Sequence, residues 1–175
     1  MTKFTKILAA VAMLWLVAVH ATPLMAQQNY DFQVGQLYYN ITDAANHKVA
    51  VVSGNNKPTG AIAIPATVVN GSNTYSVTSI GERAFHGCNG LTSINIPNGI
   101  TSIGQYAFYG CSGLKYVAIP GHISFKDNFG SSSNIDTVII AGGSTTICTS
   151  SFWGCSKIKY ISIPNSVTSI GEWAF

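Results

Sequence analysis

The sequence predicts a β-rich solenoid: a right-handed stack of coils with a parallel sheet on one face, short 3-10 or extended segments on the other, and a small N-terminal β cap. Three observations predict it. A unit of roughly two dozen residues recurs along most of the chain. Each unit carries a stretch in which Ile and Val alternate with other residues, the period of a strand with one buried face. Each also carries apolar residues outside that stretch, so no unit buries its own surface and the units must stack.

The repeat is plain when copies are aligned. Residues 77–99 read VTSIGERAFHGCNGLTSINIPNG, and 100–122 read ITSIGQYAFYGCSGLKYVAIPGH. The unit returns at 144–166 as STTICTSSFWGCSKIKYISIPNS and begins again at 167 as VTSIGEWAF. Leu91, Leu114, Ile135 and Ile158 hold one column, separated by 23, 21 and 23 residues. The unit at 123–143 is shortened and lacks the Cys, yet keeps Phe129 and the strand.

Each position has a physical task. Ile94/Ile96, Val117/Ile119, Val138/Ile140 and Ile161/Ile163 alternate as strands, with Pro97, Pro120 and Pro164 ending three of them. VTSIG is a second extended piece that turns at Gly81, Gly104 and Gly171. AFxGC is read as a short helical or 3-10 turn that drives Phe85, Phe108, Phe129 and Phe152 inward. Each buried Leu, Ile or Phe contributes roughly 1.5–3 kcal/mol, and only stacking collects it.

Ahead of the repeats, 27–60 is read as the N-terminal β cap: two strands at 36–41 and 48–53 joined by a turn at 43–46. Residues 61–175 hold the repeats: a partial first coil around Ala61-Ile62-Ala63-Ile64-Pro65, three full coils and a truncated last one. Residues 67–75 form a Gly/Asn insertion. The last coil breaks off at Trp173-Ala174-Phe175, before its strand. The expectation is a fragment of a longer protein, or else a partner that covers this end, and a bare last coil that promotes aggregation or dimerisation.

Residues 1–26 have the order of a secretory signal peptide: Lys3 and Lys6, an apolar run over 7–19, and small Ala26 before a polar stretch, with Ala21 the second choice of cut. The apolar run is short for a bilayer span, which needs ~20 residues. The expected location is export, to the medium, the cell surface or the periplasm, with no membrane span after cleavage. Of nine basic residues two leave with the leader, so seven face six acidic ones. A near-neutral chain lacks the dense basic stripe that nucleic acid requires.

The unit IPxxVTSIGxxAFxxCxxLxxIxIP resembles the BspA-like, or treponemal-type, leucine-rich repeats of exported bacterial proteins, and the match covers about 61–175. The resemblance implies a leucine-rich repeat arc, export, and roles in adhesion or other cell-surface contacts. It implies no enzymatic activity and no catalytic residues.

Cys88, Cys111 and Cys155 share one repeat column and read as compact apolar fillers. A disulfide between neighbouring coils stays open for Cys88 and Cys111, since stacked strands lie ~4.8 Å apart. Cys148 stands where other copies have Gly, and no spacing suits zinc or another cofactor. His47, His86 and His122 have no motif partner and read as solvated side chains. Asn40-Ile41-Thr42 and Asn70-Gly71-Ser72 match sequons, expected to be unmodified.

The candidate binding face is the outward side of the strands. One column is Ser93, Tyr116, Thr137 and Tyr160. The next holds Asn95 and Ser162, with Ala118 and Ile139 between them. Lys115, Asp136 and Lys159 flank it. Tyrosines beside lysines suit a protein or glycan ligand on a host matrix or bacterial surface. The alternative is a structural spacer or assembly element with no ligand of its own.

Overall fold

The structure, a computed structural model, describes residues 29–123, 128–129 and 134–175. The leader expected at 1–26 lies outside the described residues. The described residues fold as strands and turns with no helix, so none contains a helix long and apolar enough to cross a membrane.

The strand motif of each repeat builds a five-stranded parallel sheet. Its members are β4 (Gly60–Ala63), β7 (Leu91–Asn95), β9 (Tyr116–Ile119), β10 (Thr137–Ile140) and β12 (Tyr160–Ser162), which lie side by side in chain order. Equivalent residues pair in register, for example Ile94 with Val117, Val117 with Val138 and Val138 with Ile161. Each coil therefore lies on the one before it. Ile94, Val117 and Val138 are fully buried beneath the sheet, as are Leu91, Leu114 and Ile135 at its start.

A second set of strands forms the opposite wall. β3 (Lys48–Val52), β6 (Asn73–Ile80) and β8 (Ser102–Ile103) pair in parallel, stacking Val51, Ile80 and Ile103. β11 (Thr146–Ile147) and β13 (Ser169–Ile170) continue the motif as a separate pair. Thr101 and Thr168 reinforce this wall, each hydroxyl donating to the carbonyl of the residue 23 positions earlier.

The cap is more extensive than the sequence suggested. β2 (Leu37–Asp43) and β3 form the expected hairpin, closed by Asn46 donating to the Asp43 carboxylate. These bonds hold the Asp43 carboxyl below its ordinary pKa. A further strand, β1 (Phe32–Val34), lies antiparallel to β2. The Gly/Asn insertion is itself a hairpin, β5 (Thr67–Asn70) against the first half of β6, with a two-residue Gly71-Ser72 turn in which Gly71 has φ 63. At the outer edge of β4, the Gln36 side chain accepts from Thr59 N–H at 2.9 Å and donates to Thr59 O at 3.3 Å.

The AFxGC segments, expected as helical or 3-10 turns, are turns closed by bonds to the residue three positions before. Ala84, His86 and Cys88 donate within their own coil, to Gly81, Arg83 and Phe85. The alternate groups, Arg83, Phe85 and Gly87, donate across to Gln105, Ala107 and Tyr109 of the next coil. This alternation requires a backbone reversal inside the turn, and Arg83 (φ 53) and Gly87 (φ 67) provide it. Continuous 3-10 structure is lost, and coil-to-coil bonding is gained. Inside, Phe85, Phe108, Phe129 and Phe152 form a near-parallel ladder with centroids 5.1, 5.6 and 6.4 Å apart. Phe175 extends it at 5.5 Å.

The shortened repeat substitutes side chains for missing backbone partners. Buried Asn128 accepts from Ala107 N–H at 3.0 Å, and at the start of the next repeat buried Ser144 accepts from Gly121 N–H at 2.9 Å. Each keeps a donor satisfied that would otherwise cost ~1–3 kcal/mol.

Candidate functional site

The sheet register fixes where the strand-face residues stand. Ser93, Tyr116, Thr137 and Tyr160 are direct neighbours on successive strands. Asn95, Ala118, Ile139 and Ser162 form the parallel column two residues on. These side chains point away from the buried Ile94–Val117–Val138 row because strand side chains alternate. Tyr116 is 39% exposed and Tyr160 58%, while Thr137 between them is half-buried. Two rings thus flank a lower step, roughly two ~4.8 Å strand spacings apart.

Lys115, Asp136 and Lys159 run beside this column. Backbone bonds from Asp136 N–H to Lys115 O and from Lys159 N–H to Asp136 O keep them in line. Their charges alternate in sign, but no ion pair joins them; among the described residues the one ion pair is Glu82–Arg83. Lys115 and Lys159 are exposed. Asp136 is half-buried and accepts from the Thr137 hydroxyl at 2.9 Å. The site is a shallow strip with two amphipathic rings and separated charges, suited to contact rather than to bond-making.

Other sequence candidates are brought to no common centre. His47 meets Tyr75 edge-on at 5.4 Å, His86 lies against Tyr109, and His122 donates to Ile100 O at 3.1 Å. All four cysteines are thiols. Cys111 donates to Phe85 O at 3.0 Å. Its hydrogen bond with Cys88 and its burial hold that thiol well above the ordinary range. Cys88, Cys111 and Cys155 are buried and Cys148 is half-buried. A water-soluble thiol reagent is therefore expected to modify one cysteine, Cys148, in the native chain and all four in denaturant. More than one equivalent in the native protein, read by mass spectrometry, would contradict this burial.

Sequence reasoning passed over the turn edge. Tyr106, Tyr109 and Trp153 are exposed there, at positions that vary between copies and so looked featureless.

Comparison with known families decides the identity of the repeat. The model of the BspA type leucine rich repeat region matches residues 68–175, in six copies. The chain belongs to this family.

Solved structures of leucine-rich repeat proteins are also similar to the chain. A leucine-rich repeat protein from Bacteroides ovatus is 31% identical, with TM-score 0.58 over 83% of this chain and 38% of that one. A leucine rich cell surface protein from Faecalibacterium prausnitzii is 29% identical, with TM-score 0.49 over 82% of this chain and 45% of that one. The chain thus spans under half the length of either. Among curated proteins the comparison returned no match. Membership of the BspA-type family places the chain among leucine-rich repeat proteins.

Proposed function

We propose that this chain is an exported recognition module that grips a protein partner at the bacterial cell surface through its strand face. The leader at 1–26 supplies export, and the repeats continue as a right-handed solenoid, the hand that parallel crossovers favour. The reading is carried by one observation: an invariant buried row of Ile and Val lies beneath a variable row in which Tyr116 and Tyr160 stand exposed on either side of Thr137. Tyrosines supply large contact area at low entropic cost, and they are enriched among residues that dominate interfaces. No part of this reading calls for catalysis.

The test is surface plasmon resonance of the chain against a panel of host matrix proteins, with Tyr116→Ala/Tyr160→Ala as the variant. A hot-spot residue contributes about 2 kcal/mol or more, so the double change should weaken binding at least about thirtyfold. Circular dichroism should be unchanged, because both rings lie outside the core. Unaltered affinity would remove the strand face from the account. Absence of any partner across the panel would favour the spacer reading.

A further inference from the structure

Successive turns of this stack share one backbone form. Arg83, Tyr106, Ser150 and Trp173 hold the same turn position and are all left-handed, with φ 53, 56, 57 and 57. Gly87, Gly110 and Gly154, each four positions further on, are left-handed too, with φ 67, 75 and 80. A cysteine follows each of these glycines: Cys88, Cys111 and Cys155. Cys88 and Cys111 therefore leave matching stretches of backbone in neighbouring coils.

The two coils approach closely on either side of that pair. Gly87 N–H donates to Tyr109 O at 2.8 Å, and a Cβ on Gly110 would stand 3.6 Å from Gly87 Cα. Just beyond the pair, a Cβ on Gly113 would strike Asn89 O. Stacked backbones lie ~4.8 Å apart, and bridged cysteines have Cα atoms ~4.4–6.8 Å apart. The side chains converge as well. Cys111 Sγ lies 3.0 Å from Phe85 O, the same oxygen that accepts from Cys88 N–H at 3.0 Å. Phe85 O keeps that backbone donor if Cys111 loses its S–H, so joining the sulfurs orphans no carbonyl. The hydrogen bond between the two thiols holds Cys88 below the ordinary thiol range and Cys111 above it. Cys148 and Cys155 stand further along the chain, the second of them two repeats beyond Cys111.

We propose that Cys88 and Cys111 are a redox pair that closes into a disulfide between the first two full coils. The Cys88 thiolate attacks the S–S bond of a disulfide oxidant, either a small disulfide or a protein of the disulfide-exchange class. The oxidant's S–S bond breaks, a mixed disulfide forms on Cys88, and one oxidant sulfur leaves as a thiol. The Cys111 thiolate then attacks Cys88 Sγ and releases the second oxidant thiol. Two cysteines are oxidised, one disulfide is reduced, and the two S–H protons end on the released thiols. Both cysteines are buried in the closed stack, so the exchange runs while the coils are still coming together. The bond then ties one coil to the next covalently, and a reducing milieu undoes it. The inference is independent of what the strand face binds.

Refolding of the full chain tests it. The reduced, unfolded chain is refolded in a mixture of oxidised and reduced glutathione, or in reduced glutathione alone, and then alkylated with iodoacetamide in denaturant. Two alkylated cysteines are expected from the first buffer and all four from the second. Chymotryptic mapping should join the fragments that carry Cys88 and Cys111, with Cys148 and Cys155 alkylated. Closing a loop of one coil should raise Tm by about 5 °C over the reduced chain. The folded, reduced chain placed in the oxidising mixture should form the bond at least about tenfold more slowly than the refolding chain, because burial shields both thiols. Cys88→Ala/Cys111→Ala should show one Tm in both buffers, and the parent's own two-buffer comparison stands whether or not this variant folds. Four alkylated cysteines after refolding in the oxidising mixture would overturn the proposal. So would a bond that takes Cys148 or Cys155 in preference, equal Tm values for the parent in the two buffers, or closure in the folded chain as fast as during refolding.

Discussion

Replacing Phe108 with alanine is expected to destabilise the chain by about 3–5 kcal/mol, the range for a buried aromatic removed from a packed core. Phe108 is 1% exposed and lies between two rings, with centroids 5.1 Å from Phe85 and 5.6 Å from Phe129. A domain of this size has about 5–15 kcal/mol in total, so the variant should lose much of its margin. Position adds to the effect. In a stack whose members mainly meet their neighbours, stability is approximately a sum of coil and interface contributions, and the loss falls on two interfaces at once. Urea unfolding followed by circular dichroism should show a lower midpoint, with the first coils separating from the last as two transitions. Tyr116→Ala, on the exposed face, should stay within about 0.5 kcal/mol of the parent. A single transition at the parent midpoint for Phe108→Ala would mean that the ladder is not what joins the coils.

Gly104→Ala is the second large effect. A Cβ at this position would stand 2.3 Å from Glu82 N and 2.7 Å from Glu82 Cα, so it would strike the backbone of the coil below. The cause is close approach rather than torsion, because Gly104 is not left-handed. Backbone cannot rotate aside as a side chain can, and the coils must separate locally. Overpacking of this kind costs about 1–3 kcal/mol or more. Gly99→Ala is the matched control, since its nearest neighbour would be Val77 O at 4.0 Å, ordinary contact. Thermal unfolding of the two variants should differ clearly, with Gly99→Ala near the parent. Equal Tm values would show that the stack relaxes at no cost.

The parts of this fold that were legible in the sequence are those written as repetition. Leu91, Leu114 and Ile135 could be placed over one another because the same apolar residue returns at a fixed interval, and burial at one position implies burial at its copies. The strand-face columns followed from the same interval, which is why Tyr116 and Tyr160 could be paired before any register was known. Features that occur once were harder. The Gly71-Ser72 turn between β-branched runs carried a hairpin signal, but a repeat-based reading took it for an interruption. β1 is three residues long and pairs only with β2, so no periodicity announces it. The left-handed turn residues were illegible for a different reason. Arg, Tyr, Ser and Trp share no propensity for that conformation; the coil-to-coil hydrogen bonds impose it. The aromatic edge was hidden by the same logic, since a position that varies between copies looks neutral until the structure shows its rings gathered together.

The amide of Gln36 has a consequence for how molecules meet. Gly60 N–H is bonded to Gly90 O on the β7 side, so the Thr59 groups that Gln36 satisfies face outward, where a foreign strand would dock. An open rim of parallel sheet invites lateral fusion and fibre growth. Here one glutamine, reaching across 23 residues from the cap, acts as a stopper on that rim. Strand addition beside Thr59 is thereby discouraged.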